Sequence, residues 1–175
     1  MIFVPATTGD IDELVRFVNG AYRGESADAG WASEGKLMAG QRTDSAMLTE
    51  SLSTKGGTIL LMRDQVNTPL AGCVSLKPTN YPSTWYLSML AIDPKRQTEG
   101  LGRLLLFEAE DRIKAQGASR VKISVIWLRQ PLIEWYERRG YRRTGQTEPF
   151  PYGNQRFGVP LRDDLYFVEF LKGLA

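Results

Sequence analysis

The chain has 175 residues, 42% of them hydrophobic and 24% charged, with a net charge of +2. That balance is ordinary for a globular domain long enough to bury roughly two-thirds of its unfolded surface, and the mixed charges leave neither a nucleic-acid footprint nor a basic membrane patch. With no histidine and a single cysteine, Cys73, His-based triads and most zinc or non-haem iron sites are excluded, and no internal disulfide can form. The opening Met1-Ile2-Phe3-Val4-Pro5 has no charged n-region followed by a long apolar run, and no run approaches ~18 apolar residues, so a soluble, cytoplasmic protein with no membrane partner is expected.

Taken in order, Ile2, Phe3 and Val4 form a short strand closed by Pro5. Thr7, Thr8 and Asp10 offer helix caps, and Ile11, Leu14, Val15 and Val18 then fall at helical spacing, so a helix is expected to about Tyr22. Residues 23–41 carry glycines, charges and Trp31 without a period. A second helix is expected from Thr43 and Asp44 to Leu52, followed by strands at residues 58–62 and 70–76 around a polar hairpin loop. Cys73 lies in the second of these and reads as an inert core thiol.

The apolar run Leu87-Ser88-Met89-Leu90-Ala91-Ile92 is a strand that begins as early as Ser83 and is stopped by Asp93-Pro94. After a polar turn, Leu101, Leu105, Ala109 and Ile113 recur one turn apart in a helix ended by Gly117. Val121, Ile123, Val125 and Trp127 alternate in another strand, and Pro131 suits the first turn of a helix ended by Gly140. Residues 141–144 start a further strand, residues 146–160 read as a glycine, proline and aromatic loop, and residues 165–170 form the last strand. The order β-α-α-β-β-β-α-β-α-β-β describes a single α/β domain over residues 1–175, a mixed sheet of about seven strands with helices on both faces.

The turn between Pro94 and the long helix carries the chemistry. Glycines at a helix start let a ligand approach the backbone closely, and the unpaired first-turn N–H groups favour a phosphate. Gly-x-Gly alone fits a ligand-free turn equally well. The string Gln97-Thr98-Glu99-Gly100-Leu101-Gly102, three residues past Pro94 and after an apolar strand, resembles the acyl-CoA pyrophosphate loop of the GNAT N-acetyltransferase family, Gln/Arg-x-x-Gly-x-Gly/Ala, at every fixed position. Gly102 is followed by Arg103-Leu104 rather than Lys-Ser/Thr, and Leu105 stands where a dinucleotide fingerprint needs its third glycine. The element order is similar to that of the same family over nearly the whole chain.

The resemblance implies acetyl-CoA as co-substrate, its pyrophosphate held by backbone N–H groups from Gln97, Thr98, Glu99, Gly100, Leu101, Gly102, Arg103 and Leu104, with a charged contact from Arg96 or Arg103. It implies that the preceding strand splays from its neighbour and offers Leu90, Ala91 and Ile92 to the pantetheine arm, with the acetyl carbonyl near Leu90. The segment Tyr136-Glu137-Arg138-Arg139-Gly140-Tyr141 resembles the family's Tyr-Glu-x-x-Gly-Phe/Tyr, whose tyrosine protonates the departing thiolate, and makes Tyr136 the catalytic acid. Leu132, Trp135 and Tyr136 share one helix face, so a plain core role is the alternative. Arg129 stands where the family commonly has a CoA-contacting asparagine and would meet a phosphate or the acceptor instead.

No general base stands out. The strand before the loop offers Tyr86 and Ser88 but no carboxylate before Asp93, which suits the turn, and the candidates elsewhere, Glu25, Asp28, Glu34, Asp44 and Glu148, read as surface charges. By analogy the acceptor would be recognised by residues 23–43 and 146–160, with Trp31, Phe150, Tyr152 and Phe157. The expected function is acetyl transfer from acetyl-CoA to a primary amine of a small molecule, by direct attack in a ternary complex and without a metal. A covalent acyl-enzyme is disfavoured, since Cys73 reads as buried and no histidine is present to activate a serine. A non-catalytic acyl-CoA-binding domain and an α/β domain without cofactor are the rivals, and a homodimer is left open.

Overall fold

A computed structural model describes residues 1–24 and 33–175. Seven strands form one sheet in the order β1-β3-β4-β5-β6-β9-β7. In chain order they are β1 (Ile2–Pro5), β3 (Thr58–Arg63), β4 (Leu70–Pro78), β5 (Thr84–Ile92), β6 (Arg120–Ile126), β7 (Arg142–Pro149) and β9 (Tyr166–Gly173). A second, two-stranded sheet pairs β2 (Met38–Ala39) with β8 (Val159–Pro160). The helices are α1 (Ile11–Arg23), α2 (Ser45–Ser53), α3 (Leu101–Ala115) and α4 (Gln130–Glu137).

Strand β3 is buried on both faces because helices cover both. Its alternation sends Leu60 and Met62 to one side and Ile59 and Leu61 to the other. On the first side α3 brings Leu105, Leu106, Ala109 and Ile113, and α4 brings Leu132, Ile133 and Tyr136. On the second side α1 and α2 bring Leu14, Val18 and Leu48 over Cys73 and Ala91. Each large apolar side chain buried in this way contributes about 1.5–3 kcal/mol. Cys73 is fully buried, and desolvation pushes its thiol up to about 12, so it holds no thiolate at neutral pH.

The ends of the elements follow local chemistry. Thr7 and Asp10 cap each other in a 3-10 turn (Thr8–Asp10) that leads into α1, and Asp44 caps α2 by accepting from the Met47 N–H at 2.8 Å. Two features differ from the sequence expectation. Residues 146–149, expected in a loop, continue β7 as far as Pro149, and residues 159–160 pair with β2. The last strand, β9, is inserted between β6 and β7, bonding β6 along its whole length from Arg120↔Gly173 to Ile126↔Phe167.

Candidate active site

Strands β5 and β6 are the parallel pair of the sheet, and they part company early. They pair only at Thr84↔Arg120, Trp85↔Val121 and Tyr86↔Lys122, although β5 continues to Ile92 and β6 to Ile126. The second half of β5 is held on its other side by β4, with one irregularity. Cys73↔Ala91 and Ser75↔Ser88 span two steps on β4 but three on β5, and Met89 adopts φ 54. One extra residue therefore sits in β5, a bulge in the half of the strand that β6 leaves unpaired. The splay expected from the resemblance is present, and Leu90, Ala91 and Ile92 lie along it.

The turn after β5 is a 3-10 helix (Pro94–Glu99) whose first turn Asp93 caps, accepting from the Lys95 N–H at 3.0 Å. Gly100 then takes the left-handed conformation, φ 75, that starts α3. A Cβ there would meet no other atom within 4 Å, so the surface over this glycine is open. Helix α3 begins with no side-chain cap and no acidic residue in its first turn, which leaves its positive end to a ligand anion. The Arg103 and Leu104 N–H groups, expected among the pyrophosphate donors, instead donate to the Gly100 carbonyl at 3.1 and 3.2 Å as the helix closes its first turn. Thr98, Glu99, Gly100, Arg103 and Leu104 are exposed, Gln97 is half-buried, and Leu101 and Gly102 are buried. Arg96 is already engaged by Asp64 and Glu99, each at 2.8 Å. Arg103 is the cation that remains of the expected pair, close enough to Arg139 for its charge to act on it. After burial, the like charges of Arg138 and Arg103 hold the Arg139 pKa below its usual value.

Because β5 and β6 are parallel, their carboxyl ends, the loop before α3 and the start of α4 lie at the same end of the sheet. A cleft of about 510 Å³ opens there, lined by Ser88, Met89 and Leu90 on β5, by Ser124 and Ile126 on β6, and by Tyr136 on α4. Tyr136 is 5% exposed, and its ring packs edge-on against Trp135 and Tyr141. The core position and the cleft position therefore coincide. Burial raises its phenol well above the usual tyrosine value, and it stays protonated at neutral pH.

Across the cleft, α1 supplies Tyr22, whose hydroxyl donates to the Leu90 carbonyl at 3.1 Å. That bond ties the bulged strand to α1 and was not visible in the sequence, where Tyr22 reads as the end of an amphipathic helix. Desolvation pushes the Tyr22 phenol up to about 12.

The candidate bases divide clearly. Asp44 is the α2 cap, Glu148 pairs with Lys122 at 3.0 Å, and Glu25 and Asp28, like Trp31, lie outside the described residues. Glu34 corrects the expectation of a surface charge, because it is only 8% exposed and lines the cleft. Arg23 and Arg129 each hold one of its oxygens at 3.0 Å. Burial alone would raise its pKa, but the guanidinium groups of Arg129, Arg42 and Arg23 outweigh that and lower it. A carboxylate held this way is a weak proton acceptor. Arg129, expected at a CoA phosphate or the acceptor, is engaged by Glu34 on the cleft wall.

Arg23 also joins the two segments expected to meet the acceptor. It donates to the carbonyls of Gly40 at 3.1 Å and Gln41 at 3.2 Å on one side and of Phe157 at 3.0 Å on the other. Those segments are paired through β2 and β8, and Gly158 passes so close that a Cβ would lie 2.5 Å from both Ala39 O and an Arg23 nitrogen. Phe150, Phe167, Met38 and Ile126 pack beneath them. Among the described residues there is no helix long and apolar enough to cross a membrane and no cluster of three or more acidic, cysteine or histidine side chains fit to hold a metal.

No curated protein matches the chain. Solved structures do. A GNAT-family protein of Desulfovibrio desulfuricans is 20% identical, with a TM-score of 0.70 and 99% of each chain covered. The ribosomal-protein-S18-alanine N-acetyltransferase of Escherichia coli is 15% identical, with a TM-score of 0.69 over 99% of this chain and 94% of that one. A GNAT-family acetyltransferase of Streptococcus pneumoniae is 20% identical, with a TM-score of 0.67 and 99% of each chain covered. At such identities these likenesses show the fold alone. The sequence itself matches the model of the acetyltransferase (GNAT) family over residues 27–141, more than half of its length, and the chain belongs to that family.

Proposed function

We propose that the protein transfers the acetyl group of acetyl-CoA to the primary amine of a small molecule, by direct attack in a ternary complex. The observation that carries this reading is the early parting of β5 from β6 beside the uncapped start of α3. A pantetheine arm laid along the splayed edge would take the place of the missing strand partner, and the pyrophosphate would meet the open surface over Gly100 and the positive start of α3. Arg103, exposed in the first turn of α3, would supply positive charge for further phosphate oxygens.

The thioester carbonyl would lie by the bulge, where a strand N–H near Leu90 polarises it, and Tyr22 holds that stretch of backbone in place. As the carbon–nitrogen bond forms, the carbonyl oxygen takes up negative charge. As the carbon–sulfur bond breaks, the thiolate accepts the proton of Tyr136, and the proton lost by the nitrogen restores the phenol by way of solvent in the cleft, so that no phenolate remains. The amine must arrive without its extra proton. A cleft with three guanidinium groups around one carboxylate favours that, since a further positive charge there is repelled.

The test is CoA release from acetyl-CoA with a panel of small primary amines, alongside acetyl-CoA affinity by calorimetry. Amine-dependent release supports the reading. Tight CoA binding without release from any amine would point to a binding domain, and absence of binding would overturn the cofactor assignment.

A further inference from the structure

Four arginines line the cleft, and three of them have carboxylate partners. Arg23 and Arg129 hold Glu34 at 3.0 Å, and Arg156 holds Glu50 at 2.7 Å. The fourth, Arg42, has no carboxylate or hydrogen-bond partner for its guanidinium among the described residues. It is not loose. Its backbone N–H donates to Asn19 Oδ1 at 2.7 Å, and its guanidinium lies 5.3 Å from the centre of the Tyr22 ring and 5.7 Å from that of Phe157. Two aromatic rings thus position a cation whose hydrogen-bonding edge no acceptor among the described residues uses.

The surroundings strengthen the case for an anion. Arg42 is near enough to Glu34, Tyr22 and Tyr86 for its charge to act on all three. The one carboxylate within that group is already divided between two other arginines, so the cluster carries excess positive charge. Such a site, facing a cleft, lowers its energy by taking up a negative group. A single planar guanidinium matches a single planar carboxylate. The Tyr22 ring beneath Arg42 carries the hydroxyl that bonds Leu90, so this cation stands beside the strand segment where the proposed function lays the thioester.

We propose that Arg42 is the acceptor-binding residue that selects a small amine bearing a carboxylate, in the manner of an amino acid. This rests on the acetyl-transfer reading of the same cleft. The carboxylate would dock on the fork of Arg42 and replace the missing partner, leaving the amine free to face the acetyl group.

The experiment measures CoA release by the full chain with matched acceptors: phenylalanine, lysine and glutamate, their decarboxylated amines, and the corresponding amino-acid amides, with phosphoethanolamine as a different anion. The expected result is a preference in kcat/KM for carboxylate-bearing acceptors of roughly tenfold to a hundredfold, the range for charge-assisted hydrogen bonds. In Arg42→Gln that ratio should collapse toward one, whereas Arg42→Lys should keep part of it, and acetyl-CoA affinity reports whether each variant is folded. Equal use of amines and amino acids by the wild-type protein would overturn the inference while leaving acetyl transfer standing, as would a preference for phosphoethanolamine alone. If no acceptor releases CoA, the transfer reading fails separately. Calorimetry with the same acids and amides then decides the anion site: binding of the acids that Arg42→Gln removes supports it, and equal binding of acid and amide, or none, overturns it.

Discussion

Replacing Glu34 by glutamine tests whether this carboxylate is the anion that holds the cleft wall together. The change keeps the shape and one acceptor oxygen but removes the charge that Arg23 and Arg129 share, their side chains being 7% and 10% exposed. Breaking a buried ion pair from one side costs about 3–5 kcal/mol, since the other charge is left without compensation. Glutamine still accepts one hydrogen bond, so we expect a loss of roughly 2–4 kcal/mol at pH 7. The pH dependence gives the second readout. Glu34 has a folded-state pKa below the ordinary 4.5 of a glutamate, so its contribution is fully present above pH 4.5 and fades as the pH falls through the folded value. Urea denaturation of both proteins at pH 7 and at steps below pH 4.5 should therefore show a gap that narrows in acid. Equal stability at pH 7, or a gap that acid leaves unchanged, would refute the assignment.

Tyr136→Phe removes the proposed acid but keeps the ring that packs on Trp135 and Tyr141. Burial makes this phenol a reluctant donor, so turnover should fall by roughly tenfold to a hundredfold, the low end of acid catalysis, with acetyl-CoA affinity nearly unchanged; wild-type turnover in the folded variant would remove the tyrosine from the mechanism. Gly100→Ala places a Cβ where no protein atom lies within 4 Å, at a left-handed position that costs about 1–2 kcal/mol of stability. Acetyl-CoA affinity by calorimetry should drop by more than the melting temperature alone would suggest, and unchanged affinity would exclude close approach of a ligand to this turn.

What the sequence revealed was local. The Leu101, Leu105, Ala109, Ile113 spacing and the alternation of β6 survive because helix and strand periods are written in neighbouring residues. The glycine string was legible for the same reason, since a left-handed residue before a helix is a demand on one position. Strand β7 was cut short in the sequence reading because it lies at the sheet edge, where neither face is buried and no alternation is imposed. The insertion of β9 beside β6 and the splay of β5 are choices of partner, and no property of a single strand reports them.

The same distinction explains why Glu34 was read as a surface charge. Its burial depends on Arg23 and Arg129, 11 and 95 residues away along the chain, and only the fold brings all three together. A carboxylate among unpaired neighbours in such a place would be a strong base, because burial raises its pKa. The two bonded arginines and the nearby Arg42 reverse that shift and turn Glu34 into a fixed counter-charge. The absence of a readable base on β5 and the excess of arginine around the cleft then have one explanation. Under the proposed acetyl transfer, a site that repels an ammonium would shift the incoming amine toward its neutral, nucleophilic form, and would need a carboxylate on the acceptor more than one on the protein.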